Sequence, residues 1–197
     1  RAGATATRLS DDLGAPVLVA GGADAAGLPI AQAELYKPLR DAFVDPSDFA
    51  ATMQTPRTGH RALLLPDGSV LFVGGVDDAG QPVRALELFA LDAGFVAVGD
   101  LPAGAGVVGA SATPLPDGRI LLAGGRLTAG GAAVDTAYII RVDPVDGSLD
   151  TVATDRLAAP RADHQAVALC DGTIVLAGGD TTGDVSERYQ PSPTGRR

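Results

Sequence analysis

Arg57-Thr58-Gly59-His60-Arg61-Ala62-Leu63-Leu64-Leu65-Pro66-Asp67-Gly68-Ser69-Val70-Leu71-Phe72-Val73-Gly74-Gly75 is the stretch that decides the fold. Two apolar runs flank Asp67-Gly68, a dipeptide that marks a tight hairpin because glycine enters the positive-φ region without a Cβ penalty. This pattern predicts a first strand over His60 to Leu65, a two-residue type I′ turn, and a second strand over Val70 to Val73. The second run is apolar throughout, so both of its faces should be covered. Gly74-Gly75 then ends it where close backbone approach or positive φ would exclude a side chain.

The same unit recurs along the chain. Its Gly-Gly pairs stand at Gly21-Gly22, Gly74-Gly75, Gly124-Gly125 and Gly178-Gly179, at intervals of 53, 50 and 54 residues. An even period of this size means that one supersecondary unit has been copied. Asp117-Gly118 and Asp171-Gly172 repeat the turn, while the first unit keeps only the apolar run Val17-Leu18-Val19-Ala20 behind a longer turn. Arg161-Ala162-Asp163-His164 repeats Arg57-Thr58-Gly59-His60; Arg1-Ala2-Gly3-Ala4 keeps the arginine, and Val107 and Ala110 replace both side chains in the third unit. Downstream come Glu34-Leu35-Tyr36-Lys37-Pro38, Glu87-Leu88-Phe89 and Glu187-Arg188-Tyr189-Gln190-Pro191, and the best third-unit match is Ile140-Arg141-Val142-Asp143-Pro144. A third strand should carry this acidic-aromatic signature, and a fourth should centre on Phe43, Phe95 or Leu149. No segment has sustained helical periodicity. Four short antiparallel strands per unit is the sequence form of a propeller blade, with units 1–56, 57–106, 107–160 and 161–197.

The series Arg-x-x-His, Leu-Pro-Asp-Gly, apolar-Gly-Gly and Glu-x-Tyr-x-Pro resembles the kelch repeat, in the bacterial form also seen in the propeller domain of galactose oxidase. The resemblance covers the whole chain and implies an all-β propeller of four kelch-like blades. It departs from the family in lacking the outer-strand Trp, since the chain contains none. Phe43, Phe95 and Leu149 stand about where that Trp would be, as smaller anchors. Unit four stops at Arg197, with Arg196 where the outer-strand aromatic is expected. The expectation is therefore an incomplete last blade in a chain that is a piece of a longer propeller or joins a second copy. Open strand edges and blade faces would favour homo-oligomers.

Composition narrows the function classes. The 197 residues carry a net charge of −9, and their 15 basic residues are scattered, whereas nucleic-acid binding needs clustered positive charge. The longest uncharged run, between Asp100 and Asp117, is too short and too broken by Pro and Gly to span a bilayer. A single cysteine, Cys170, excludes an internal disulfide; its place beside the turn, matching Pro66 and Pro116, reads as a buried structural thiol. There is no asparagine, hence no N-glycosylation site.

Several patterns imitate chemistry. Gly104-Ala105-Gly106-Val107-Val108-Gly109 fits the dinucleotide fingerprint, but that motif needs a following helix, and Pro114, Pro116 and a hairpin follow instead. His60 and His164 occupy equivalent slots in different units, which predicts a structural role satisfying backbone groups between strands. Glu34, Glu87 and Glu187 should accept from backbone amides or from Arg57 and Arg161. The resemblance also raises a secreted galactose-oxidase-like carbohydrate oxidase. Its copper chemistry would call on His60, His164, Tyr36, Tyr189 and Cys170, yet all five fall on repeat positions, and fold does not carry function. No acidic loop of EF-hand spacing is present. The sequence therefore assigns no catalytic residue, metal or cofactor. It points instead to a protein or glycan partner at the irregular loops after each Gly-Gly, through Asp24, Asp77, Asp78, Arg126, Asp180 and Asp184. The resemblance adds a bacterial and extracellular or cell-surface setting.

Overall fold

The computed structural model describes the chain apart from residues 46, 50, 144, 145, 180–185 and 191–197. Two compact units divide it, residues 1–99 and 100–197. Each holds two antiparallel sheets whose strands follow one another in chain order, the meander of a propeller blade. Among the described residues the only helical element is a short 3-10 turn, Pro38–Arg40.

In the first unit, sheet 1 consists of β1 (Thr5–Arg8), β2 (Val17–Ala20), β3 (Gln32–Lys37) and an outer strand split into β4 (Ala42–Phe43) and β5 (Ala51–Thr52). Asp45 explains the split: its carboxylate accepts from the Ser47 amide and hydroxyl, and its carbonyl from Phe49 N, turning the chain outward. Sheet 2 consists of β6 (Arg61–Leu64), β7 (Val70–Val73), β8 (Ala85–Ala90) and β9 (Gly94–Asp100). The second unit repeats the plan with β10 (Ser111–Pro114), β11 (Ile120–Ala123), β12 (Ala137–Val142) and β13 (Leu149–Ala153) in sheet 3. Sheet 4 is β14 (Gln165–Ala168), β15 (Ile174–Ala177) and β16 (Glu187–Tyr189). Its expected outer-strand position falls on residues 191–197, outside the described ones.

Each core lies between the two sheets of a unit and follows from period-two alternation. In the first, Leu18, Ala20 and Leu35 of sheet 1 pack on Val70, Phe72 and Phe89 of sheet 2. In the second, Leu121, Ala123 and Ile139 of sheet 3 pack on Ile174, Leu176 and Tyr189 of sheet 4. Val70–Val73 and Ile120–Ala123 are buried on both faces, as continuous apolar runs require. The missing Trp is replaced differently from the expectation. Phe95 stacks 5.0 Å from Phe89 and 5.2 Å from Phe72, but Phe43 is 56% exposed and rests on Tyr36. Phe49, brought inward by the Asp45 turn, meets Phe89 edge-on instead.

Three further expectations are corrected. Leu65 N bonds Ser69 O and Gly68 N bonds Leu65 O, and only Gly68 has positive φ, so the hairpin is a three-residue turn with a glycine bulge. Pro66 at its first corner stiffens that form, and the Asp67 carboxylate holds Ser69 N. Cys170 takes the same corner in the sheet 4 turn and is exposed, because that corner projects into solvent. Finally, strand register places Phe89 opposite Val70, Ile140 opposite Ile120 and Tyr138 opposite Leu122, where sheet 2 sets Glu87 opposite Phe72. The third-unit signature therefore lies two residues earlier than its sequence match, with Tyr138 in the glutamate slot.

Candidate functional site at the Gly-Gly ends of the sheets

In sheets 1 and 3 both glycines of the pair are required by close approach. A Cβ on Gly21 would sit 2.8 Å from the Arg57 carbonyl and 2.6 Å from the His60 ring, and Gly22 N donates to that carbonyl at 2.9 Å. Gly125 N makes the same bond to Arg161 O at 2.8 Å. All eight pair glycines have positive φ. In sheets 1 and 3 the end of the second strand is thus a seat for the Arg-x-x-His segment of the following sheet.

That segment carries the buried polar groups. Arg57 and Glu87, 0% and 1% exposed, meet at 2.5 Å. Arg57 also donates to Ala85 O, while Glu87 accepts from the amides of Gln54 and Thr55 that lead into the sheet. Burial pulls the Arg57 guanidinium below its ordinary value, against the attraction of Glu87. Arg161 and Glu187 repeat the pair at 3.4 Å, with Glu187 accepting from Ala158 N. Arg1 and Glu34 repeat it at 2.9 Å in a half-exposed form. In the third unit Val107 and Tyr138 replace both partners together, so no unpaired buried charge is left.

His60 and His164 are engaged by hydroxyls of the preceding sheet: Nε2 lies 2.9 Å from Thr5 Oγ1 and 2.8 Å from Ser111 Oγ, respectively. A backbone hydrogen bond with Arg57, the kind of partner the sequence predicts, also acts on His60. Thr5 and Ser111 were missed in the sequence, although each directly follows the alanine that replaces histidine in its own unit, Ala4 and Ala110. Burial, with Arg57 adding to it, pulls the His60 imidazole down to about 4.

Two of the loops above this layer, those of Asp24 and Asp77, are self-supporting. Asp24 Oδ1 accepts from Ala26 N and Leu28 N, and Asp77 Oδ1 from Ala79 N and Gln81 N. Each closes its own loop, a turn role for aspartate. Asp78 is exposed beside Asp77, and Leu28 is exposed at the tip of the first loop. Arg126 is not a free loop cation: it pairs with Asp163 at 2.6 Å and is largely covered. Asp163 also went unrecognised; at φ +57 it holds the corner that Gly3, Gly59 and Gly109 hold elsewhere. Asp180 and Asp184 lie outside the described residues.

No protein-family model matches the sequence, and no curated protein does. Its fold does match solved structures, 139 chains of them. The chain is similar in fold to YjhT. The likeness to the solved chain titled "Structure of YjhT" has a TM-score of 0.68 at 19% identity, over 90% of this chain. The chain spans 58% of YjhT's length. At this identity the likeness concerns the fold alone. Among the described residues, no helix is long and apolar enough to cross a membrane.

Proposed function

We propose that this chain is part of a kelch-type propeller that serves as a non-catalytic interaction scaffold, presenting the loops after its Gly-Gly pairs to a protein or glycan. The observation that carries this reading is the division of labour at those ends. Buried Arg57, Glu87 and His60 are committed to joining strands, while the Asp24 and Asp77 loops close on their own carboxylates and leave Leu28 and Asp78 outward. A loop that does not depend on the sheet for its shape is free to carry specificity. The side chains an oxidase would use have other engagements: His60 with Thr5, Tyr36 with Asp41, and Tyr189 with the Asp155 carbonyl.

A glycan array and immobilised candidate proteins, probed with the wild-type chain and with Asp78→Arg and Leu28→Asp, test the reading. Binding lost in both variants at unchanged melting temperature supports it. A ligand held equally by all three places recognition elsewhere. Copper added to the chain should produce no new absorption band; a stoichiometric band would favour the oxidase reading.

A further inference from the structure

Repetition separates side chains that hold the sheets from side chains that do not. Val83 N donates to Gly75 O as Ile30 N does to Gly22 O and Val134 N to Gly125 O. Ala31, Arg84 and Asp135 therefore occupy one slot, where each loop re-enters the third strand. Ala31 packs against the first core, and Asp135 pairs with Arg156 at 2.6 Å. An apolar group, a cation and an acid at one slot mean that the sheets impose no single chemistry there.

Arg84 is the arginine whose charge the fold leaves unanswered. Among the described residues, every other arginine that is buried or half-buried meets a carboxylate: Arg57 with Glu87, Arg119 with Asp117, Arg126 with Asp163 and Arg161 with Glu187. Arg84 is half-buried and in no ion pair, and its Nε is enclosed without an acceptor. The terminal nitrogens are not enclosed, so the guanidinium presents its outer edge to solvent. Enclosing a donor without a partner costs stability, and a group kept in that state calls for an explanation. A held stem with an open fork is pre-organised for a planar group that accepts two hydrogen bonds, as a carboxylate does.

The neighbourhood narrows the ligand. Arg84 stands at the foot of the Asp77 loop, where Asp77 Oδ1 is engaged by Ala79 N and Gln81 N while Asp78 is exposed. Asp78 and the net charge of −9 disfavour a dianion or a run of acids. Residues 23–31, 76–84 and 126–135 contain no aromatic side chain, so these loops offer a sugar ring no flat face, but they do expose Leu28. One carboxylate accompanied by apolar side chains, as on a protein surface, suits both features.

We propose that Arg84 takes one Asp or Glu side chain of a protein partner in a two-bonded pair. This rests on the scaffold reading and names which of its two partner classes the surface takes.

A random heptapeptide display library, selected on the immobilised wild-type chain and in parallel on Arg84→Gln and Arg84→Glu, tests it. Wild type should enrich sequences with one acid at a fixed position, and Arg84→Glu should enrich Lys or Arg there instead. A synthetic peptide of the enriched sequence should bind Arg84→Gln at least about tenfold more weakly than wild type. Replacing its acid by the amide should cost the same factor on wild type and nothing further on Arg84→Gln. Arg84→Gln should melt no lower than wild type, because no partner is lost; a lower melting temperature would show a structural role and overturn the proposal. Enriched peptides held equally by wild type and Arg84→Gln would overturn it too, and leave the scaffold reading standing. Binding to an arrayed glycan that needs Arg84, with no peptide enriched, would overturn the choice of a protein partner. A chain that enriches no peptide and holds no arrayed glycan or candidate protein would lose both readings.

Discussion

Arg57 and Glu87, thirty residues apart in sequence, meet at 2.5 Å with both side chains closed off from water. Such a pair contributes little net stability over an apolar alternative, but removing one partner strands the other charge in the core. Glu87→Ala should therefore cost about 3–5 kcal/mol, whereas Glu34→Ala, which removes a half-exposed carboxylate, should cost under about 1 kcal/mol. Urea midpoints of the two variants check this, and equal midpoints would contradict it.

His60 should make stability pH-dependent. Its folded value of about 4 lies below the ordinary 6.5, so the unfolded chain takes up the proton first as pH falls. The contribution is complete above pH ~6.5 and is lost progressively as pH falls through 4, with a total near 3 kcal/mol. His60→Gln should flatten the stability profile between those limits relative to wild type. The comparison removes the carboxylates, which titrate in both proteins.

Gly75 and Gly68 both have strongly positive φ, but only Gly75 faces backbone, with a Cβ there falling 2.6 Å from the Thr58 carbonyl. Gly68→Ala should cost about 1–2 kcal/mol from the left-handed conformation alone. Gly75→Ala should cost several kcal/mol because Thr58 must move as well. Thermal melts of the two single variants give the difference directly.

Asp163 occupies a left-handed corner and binds Arg126 across two sheets. Asp163→Gly relieves the corner as it removes an ion pair whose carboxylate is solvent-facing, so stability should stay within about 1 kcal/mol of wild type. Asp163→Ala keeps the strain and loses the pair, and should melt below both. If the alanine variant matched the glycine one, the corner would carry no strain.

Repetition made the strands legible, because a period of about fifty residues multiplies a weak local signal four times. The turn type was less so: Asp-Gly signals a hairpin, but whether two or three residues close it depends on the hydrogen bond between Leu65 and Ser69. Tyr138 was hidden because a glutamate-to-tyrosine exchange removes the motif that would have marked it, and only register reveals the slot. Thr5 and Ser111 were hidden for another reason. Their role lies in the neighbouring sheet's histidine, and a hydroxyl in a strand carries no local mark of its partner. Phe49 entered the core through the Asp45 turn, an insertion that shifts the aromatic beyond the spacing that Phe95 keeps in sheet 2.

The Asp24 and Asp77 loops behave as cassettes. Each is shut at its base by the carboxylate of its own first residue, so the codons between that aspartate and the returning strand can be rewritten without retuning the sheets below. Evolution or a library maker can re-aim such a surface at a new target by editing the tips alone.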